Sequence, residues 1–240
     1  MSDVRIEAEG GILRIALDRP DAGNALTPDM ATEIAARLAD LPAETRVVVM
    51  SAAGADFCTG RASVMPPKGT QMTAVDLRAL ISEPVLDFYA ALRSVPVPVI
   101  ARVQGKAAGV GCALAALADV AIAGRSATFV VPEMNHDIAP TLVMDALADR
   151  VGRATLARMV LTRDAVSADE AKAIGLIGKV ADDAALDETV EAAAAGLAGN
   201  SVAVVRAVKA FLIRAPEASL ATRKELAALL NSVATAERFR

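Results

Sequence analysis

Glu133 is the residue of this sequence best placed for proton chemistry, because it follows an apolar run and a proline. The run from Phe129 to Val131 is typical of a buried strand, and Pro132 ends it. A carboxyl group half-buried at such a strand end has a raised pKa, which suits a general base or acid. An ordinary surface carboxylate is the alternative. His136, the single histidine of the chain, and Asp137 follow shortly after and could assist proton transfer.

A glycine-rich turn between a predicted strand and a predicted helix could bind negative charge. It runs from Val103 to Ala113 and contains Gly105, Gly109 and Gly111. Such a turn aims free backbone N–H groups and the positive end of the helix dipole at one point, where a developing oxyanion fits. The alternative is that the glycines only let the helix pack closely on the sheet.

A third segment, Asp56 to Ala62, follows another predicted strand after a short turn. Gly60 can let the backbone turn sharply there and expose the N–H of the next residue, Arg61. From spacing alone, a plain turn is the simpler interpretation. Each of the three segments thus places unusual residues at the end of a strand.

Other chemistries lack their sequence patterns. The sequence has no His, Cys and carboxylate cluster with metal-ligand spacing, no phosphate-binding loop and no serine nucleophile elbow. The pair Gly109 and Gly111 resembles part of a dinucleotide-binding turn, but Leu114 stands at the third glycine position and the unit lies in mid-chain. A dinucleotide-dependent oxidoreductase is therefore a weak alternative.

The composition argues against a nucleic-acid partner. Aromatic residues make up 2% of the 240 residues, the formal charge is −4 and the isoelectric point is about 5.2, so neither stacking platforms nor a basic surface is available. Cys58 and Cys112 are too few for a disulfide framework, and we expect buried thiols.

We expect a cytoplasmic location and no membrane partner. The first ten residues are polar and lack the apolar stretch of a secretory signal. The segment Ala107 to Gly124 approaches the length of a membrane span, but Asp119, Gly109 and Gly111 make a buried helix followed by a buried strand the simpler interpretation.

The elements that must position these segments form a mixed α/β pattern. Two strands, Val4 to Glu9 and Leu13 to Leu17, flank a Gly10-Gly11 turn, and Thr27 and Pro28 begin a helix whose apolar residues share one face. Further predicted elements are strands at 47–50, 97–103, 120–123 and 128–131, a loop at 60–73, a helix at 75–92 that is broken or restarted at Pro84, and a helix at 110–117.

We expect the chain after about residue 140 to be helical. The predicted helices there include 184–197, 202–214 and 220–238. An α/β core followed by a helical part is the fold class that this pattern favours.

Several segments, in this order along the chain, resemble the crotonase family, the enoyl-CoA hydratase/isomerase superfamily. Besides the three segments above, these are Arg19 to Leu26 (an "RP…NAL" segment), Pro98 to Ala101, Ala118 to Ala123, and Ala168 to Val180. The resemblance covers nearly the whole chain. It implies a crotonase-like spiral of ββα units over residues 1–185 and a C-terminal helical region over 186–240 that mediates trimer formation, often with two trimers stacked as a hexamer.

The resemblance also implies an acyl-CoA substrate and a set of site residues. The thioester oxygen would accept hydrogen bonds from the backbone N–H groups of Arg61 and Val110, and Glu133 would move protons. Coenzyme A is then part of the substrate, and no separate cofactor or metal is expected. The backbone around Asp21, Ala22 and Ala62 would line the coenzyme A channel together with the two oxyanion residues, and Lys209 would contact a neighbouring subunit's ligand.

Two departures from the family pattern affect the predicted reaction. Hydratases of this family usually carry a glutamate where this chain has Ala113, and Val110 stands where glycine is usual. Moving a double bond needs one base, whereas adding water usually needs a second group. We therefore favour an enoyl-CoA isomerase with Glu133 alone. The alternatives are a hydratase in which His136 or Asp137 replaces the missing group, and a non-catalytic acyl-CoA-binding protein.

Overall fold

The computed structural model describes residues 2–63, 65–67, 69–236 and 239, which form two sheets surrounded by helices. The larger sheet has the spatial order β1-β2-β3-β4-β6-β9. β1 and β2 pair antiparallel, and each further pair in this sheet is parallel. Its strands are β1 (Val4–Glu9), β2 (Ile12–Leu17), β3 (Val47–Ala52), β4 (Val99–Val103), β6 (Val120–Gly124) and β9 (Lys179–Ala181).

The predicted hairpin at the N-terminus is confirmed. Leu13, Ile15 and Leu17 of β2 are buried, while Arg14 and Ala16 between them are half-buried, so the alternating pattern places one face against the core. Strand β3 begins with a continuous apolar run that lacks this alternation. Its residues are buried on both faces, as a central parallel strand requires.

The smaller sheet brings the glycine-rich turn and Glu133 to the same place. Its strands are β5 (Lys106–Ala108), β7 (Thr128–Val130) and β8 (Val166–Ser167), with β5 and β7 parallel and β7 and β8 antiparallel. Helix α4 (Val110–Leu117) begins just after β5, and Glu133 follows just after β7. Since the carboxyl ends of parallel strands meet at one edge, α4 begins beside Glu133.

Helix α1 (Pro28–Ala39) begins as its sequence predicts. The Thr27 hydroxyl accepts a hydrogen bond from the Met30 amide at 3.1 Å, and proline occupies the first turn. Met30, Ile34 and Leu38 form the buried face of this helix. That face packs in the core, and another side of α1, which includes Ala31 and Ala35, lines a cleft described below.

The helix predicted to be broken or restarted at Pro84 restarts there, because proline lies in the first turn of an α-helix that begins at Glu83. The chain stays helical through α2 (Ala74–Leu77), a π-helical turn (Arg78–Ser82) and α3 (Glu83–Ser94). The Glu83 amide donates to the Arg78 carbonyl, five residues back along the chain. Because proline cannot donate the usual hydrogen bond, the wider turn before it absorbs the mismatch instead of ending the helix.

The expectation that the chain after residue 140 is entirely helical is wrong at β8 and β9. These strands contain two and three residues, too few for a visible alternation, and their pairing partners fix them. The helices of this part are α5 (Thr141–Ala148), α6 (Arg153–Thr162), α7 (Ala168–Ala173), α8 (Leu186–Ala198), α9 (Val202–Arg214) and α10 (Leu220–Ala236). Residue 238, predicted to end the last helix, lies outside the described residues.

The C-terminal helices have different relations to the sheet. Helix α8 covers one face of the larger sheet, where Leu186, Val190 and Ala194 pack on residues such as Val49 and Ile100. Helices α9 and α10 leave large apolar side chains exposed, among them Val208, Leu212, Ile213, Leu220, Leu229 and Val233. In the described part of the chain, no single helix has the length and apolar character to cross a membrane, although the bent pair Asp183–Ala198 and Val202–Arg214 passes that test jointly.

Candidate active site

The segment from Asp56 to Ala62 and the glycine-rich turn lie side by side. The Cys58 amide donates to the Lys106 carbonyl at 3.1 Å, and the Ala108 amide donates to the Cys58 carbonyl at 2.9 Å. The two segments therefore run parallel through a bridge between Cys58 and Ala107. Arg61 and Val110 follow shortly after the paired residues in their segments, so both backbone amides come to the same end of this pairing.

The amides of Arg61 and Val110 are available to a ligand. Within the described residues, neither N–H group donates a hydrogen bond to the protein. Val110 is the first residue of α4, and amides in the first turn of a helix have no partner within the helix. The positive end of the α4 dipole adds to the attraction for negative charge at this point.

Two glycines allow α4 to begin here. Gly109 has φ +52° and ψ −114°, a conformation that side chains disfavour. At Gly111, a Cβ atom would lie 2.0 Å from the Cys58 carbonyl oxygen, so only glycine permits the helix to approach this segment. The interpretation of the glycines as residues that allow close packing is therefore confirmed, and the same packing leaves the Val110 amide at the start of the helix.

The carboxyl group of Glu133 lies over the beginning of α4. A Cβ atom added to Gly109 would lie 2.4 Å from Glu133 Oε1, which shows how closely the carboxyl approaches the turn. Pro132 precedes it, and Glu133 begins a short 3-10 turn that extends to His136. Glu133 is half-buried, and its Oε2 is among the buried side-chain atoms that have no hydrogen-bond partner in the described structure.

Burial raises the pKa of Glu133. A hydrogen bond from its own backbone amide and the charge of His136 oppose this shift but are smaller. A desolvated carboxylate with an unpartnered oxygen binds a proton more tightly than one in water. Glu133 can therefore take up and release a proton closer to neutral pH than an ordinary glutamate.

Tyr89 on α3 is a component of this region that the sequence did not single out. It is fully buried, and its hydroxyl has no hydrogen-bond partner among the described residues. Burial, and then the charge of Glu133, raise the pKa of Tyr89, so the hydroxyl lies close enough to sense that carboxylate. A tyrosine in an amphipathic helix usually packs in the core, and Tyr89 is the one tyrosine of the chain. Its helical spacing therefore gave no indication of a functional role.

The two cysteines are buried behind the site, as predicted. Burial raises the pKa of Cys58 to about 11 and that of Cys112 to about 12, with the charge of Glu133 adding to the second shift. Both thiols therefore stay protonated near neutral pH and lack the character of a nucleophile. Among the described residues, no group of three or more His, Cys, Asp or Glu side chains could hold a metal ion.

The residues predicted to line the coenzyme A channel lie near the segment that carries Arg61. Asp21 and Ala22 are exposed on a 3-10 turn, Pro20–Ala22. The Thr59 amide and hydroxyl both donate to the Gly23 carbonyl, at 2.9 and 3.0 Å, which ties this turn to the segment that carries Arg61. Ala62 is half-buried and donates its amide to the Leu26 carbonyl at 2.9 Å.

Asn24 explains why the turn at residues 20–26 has a fixed position. Its side chain is fully buried, and Nδ2 donates to the carbonyl oxygens of Ala53 and Asp56, both at 2.8 Å. Its Oδ1 accepts from the Arg19 amide at 2.9 Å. The asparagine thus connects the turn to the loop before Cys58, and its own φ of +53° is one that asparagine tolerates.

The other predicted residues lie further from the centre. His136 and Asp137 are exposed, although the charge of His136 acts on Glu133. Ala113 is buried one turn after Val110 on α4, where its methyl group offers no proton chemistry. Lys209 is 3% exposed and its ammonium group pairs with Asp119 at 2.6 and 2.7 Å, so it is already neutralised within the chain.

The comparison with protein families matches most of this chain to one model. Residues 7–238 match the model described as enoyl-CoA hydratase/isomerase. A probable enoyl-CoA hydratase of Rhodobacter capsulatus is 34% identical over 214 residues, which cover 87% of this chain and 80% of that protein. The 2,3-dehydroadipyl-CoA hydratase of Escherichia coli is 30% identical over 237 residues, or 96% and 91% of the two chains. A peroxisomal Delta(3,5)-Delta(2,4)-dienoyl-CoA isomerase of Arabidopsis thaliana is 29% identical, covering 95% and 87%.

Solved structures show the same fold. The enoyl-CoA hydratase of Mycobacterium smegmatis superimposes with a TM-score of 0.88 at 30% identity and covers 97% of this chain and 90% of its own. A Thermobifida fusca protein in complex with acetoacetyl-CoA superimposes with a TM-score of 0.85 at 29% identity, covering 98% and 95%. The mixed α/β architecture with a helical C-terminal part is therefore the crotonase fold.

Proposed function

This chain is an enzyme of the enoyl-CoA hydratase/isomerase family, and from that premise we propose that it isomerises the double bond of an enoyl-CoA thioester, with Glu133 as the acid and base. The observation that carries the choice of reaction is the half-buried carboxyl group of Glu133 over the start of α4, with Ala113, which cannot transfer a proton, one turn further along the helix. One proton-transferring group is what isomerisation needs.

The proposed reaction moves one proton between two carbon atoms. Glu133 takes the proton from the α-carbon of a 3-enoyl thioester, and the electron pair of that bond moves toward the thioester oxygen. The resulting dienolate is reprotonated by the same carboxyl group at the γ-carbon, which yields the conjugated 2-enoyl thioester. No atom is gained or lost, and Glu133 ends the cycle as the carboxylate.

In this proposal the backbone amides of Arg61 and Val110 bind the thioester oxygen. Both amides lack a protein partner among the described residues, and the second begins a helix, so each favours the negative charge that develops in the dienolate. Removing one such donor typically costs on the order of 3–4 kcal/mol of transition-state stabilisation. The coenzyme A arm would pass the turn of Asp21 and Ala22 and the backbone of Ala62. The relative from Thermobifida fusca, which holds acetoacetyl-CoA, supports a ligand of this class.

Hydration is the second candidate, and the names of the three proteins above that are at least 30% identical to this chain favour it. It requires a group that holds a water molecule, in addition to Glu133. His136 and Asp137 are the sequence-based candidates, and both would have to turn from the exposed surface toward the site. Isomerisation requires no such rearrangement.

We also propose that the chain assembles as a homotrimer or a dimer of trimers. The exposed apolar side chains of α9 and α10, which include Leu212, Ile213 and Leu229, would be covered by neighbouring copies. A monomer rarely leaves so many large apolar side chains on adjacent helices in water. Sedimentation of the purified protein measures its oligomeric state directly, and a stable monomer would contradict the proposed assembly.

The function is tested with two thioesters and one substitution. Wild-type protein should convert a 3-enoyl-CoA to the 2-enoyl product, and Glu133→Gln should lose about 10²- to 10⁴-fold in kcat. Glu188→Gln, which changes an exposed glutamate on α8, is the matched control and should retain wild-type rates. Conversion of a 2-enoyl-CoA to the 3-hydroxy product would instead support hydration. Equal rates for wild type and Glu133→Gln would remove Glu133 from the mechanism.

A further inference from the structure

The side chain of Arg61 lines an apolar cleft next to the site. The cleft has a volume of about 670 Å³ and lies between α1 and the helix that continues into α3. Its walls are mostly apolar and include Leu26, Ala31, Leu80 and Phe88. The same residue therefore offers its amide to the thioester oxygen, as proposed above, and its guanidinium to the adjoining cleft.

The guanidinium of Arg61 has one hydrogen-bond partner among the described residues, so most of its N–H donors remain free for a ligand. Arg61 is half-buried, and within the described residues it donates one hydrogen bond, from Nη1 to the Ile81 carbonyl at 2.9 Å. No carboxylate of the described residues forms an ion pair with it. Asp87 lines the same cleft but is exposed on α3 and belongs to none of these pairs.

This arrangement disfavours the charge of Arg61 unless an anion joins it. Burial lowers the pKa of Arg61, because the guanidinium is partly removed from water. An arginine in this state has several N–H donors left to share, arranged as a fork that fits the two oxygens of a carboxylate. The bond to Ile81 holds one branch of the fork against the π-helical turn and fixes its position.

We infer that Arg61 binds a carboxylate carried by the acyl group, so that the enzyme prefers thioesters of dicarboxylic acids with a short apolar spacer. The inference rests on the proposed function, because it takes the acyl chain to extend from the oxyanion amides into this cleft. A phosphate of coenzyme A offers the same oxyanion chemistry. However, the pantetheine arm that separates the phosphates from the thioester is much longer than an arginine side chain.

The test compares the binding of two non-reacting thioesters, adipyl-CoA and hexanoyl-CoA, which differ only in a terminal carboxylate or methyl group. Calorimetry should show that wild-type protein binds adipyl-CoA more tightly. Arg61→Met, which keeps an apolar stem, should reduce this preference by roughly 10- to 100-fold, the usual worth of a hydrogen-bonded charge. Arg61→Lys should retain part of it. Both variants keep the backbone amide, and the ratio of the two affinities cancels general losses.

Equal wild-type affinities for the two thioesters, or a preference that survives in Arg61→Met, would overturn the inference. If Arg61→Met weakens both thioesters equally, and the loss disappears with their 3′-dephospho forms, the bound anion is a phosphate and the carboxylate assignment is wrong. Turnover of the corresponding 3-enoyl pair, 3,4-dehydroadipyl-CoA and hex-3-enoyl-CoA, is measured separately. Selective binding without turnover would contradict the proposed function and leave the specificity of Arg61 established.

Discussion

Gly109→Ala should damage catalysis more than stability, because the new methyl group would meet the carboxyl of Glu133. The Cβ atom would lie 2.4 Å from Glu133 Oε1, far inside contact distance, so the carboxyl must move. The backbone conformation at Gly109, φ +52° and ψ −114°, adds strain of about 1–3 kcal/mol for a residue with a side chain. Domains of this kind have about 5–15 kcal/mol of stability, so the variant should still fold.

The expected loss in kcat/KM for Gly109→Ala is on the order of 100-fold, since a shift of about 1 Å in a reacting group has that effect. A second readout follows from the direction of the movement. If the displaced carboxyl turns toward solvent, its pKa should return toward the ordinary range of glutamate, and the acid limb of the rate profile should move to lower pH.

Gly10→Ala is the matched control for this substitution. Gly10 also has a positive φ, +58°, but a Cβ atom there would meet no atom within 4 Å, and the turn lies at the β1–β2 hairpin. It should lose about 1–2 kcal/mol of stability and keep wild-type turnover. Urea unfolding followed by circular dichroism and steady-state kinetics measure both variants. Wild-type turnover in Gly109→Ala would refute the placement of Glu133 over this turn.

Three further outcomes are expected. The kcat/KM of the wild type should rise with pH through a midpoint above the ordinary range of glutamate, because burial raises the pKa of Glu133 and the base must be deprotonated; a midpoint in the ordinary range would contradict this. Lys209→Met or Asp119→Asn alone should destabilise the protein by about 3–5 kcal/mol in urea unfolding, and the double variant by clearly less, whereas additive losses would show that the two groups do not interact. Tyr89→Phe should be neutral or gain up to about 1 kcal/mol, since it removes a buried hydroxyl without a partner; a large loss would reveal a missed hydrogen bond.

The sequence predicted the regular elements near the N-terminus and α4 because their signals are local. Thr27 and Pro28 mark the start of α1 through capping chemistry, and the alternation at Leu13, Ile15 and Leu17 sets the buried face of β2. The short strands β5, β8 and β9 have no comparable local signal. Their existence depends on partners far away in the chain, such as the pairing of β7 with β8.

The candidate site likewise contains parts that local sequence signals predict and parts that they do not. Glu133 and the glycine-rich turn could be proposed from their positions at strand ends, and the resemblance to the family assigned them roles. The proximity of Glu133 Oε1 to Gly109 arises from the parallel pairing of β5 with β7, which no local pattern predicts. The buried hydroxyl of Tyr89 was missed because a tyrosine in an amphipathic helix gives the same pattern as any core aromatic.

The burial of Tyr89 beside Glu133 gives this enzyme an intrinsic optical reporter. The chain contains one tyrosine, no tryptophan and five phenylalanines, so emission excited at wavelengths longer than phenylalanine absorbs comes from a single ring. That ring is shielded from bulk water and senses the charge of the carboxylate that is proposed to transfer the proton. Ligand titrations can therefore be followed by the tyrosine fluorescence of the unlabelled protein, which reports on this one position.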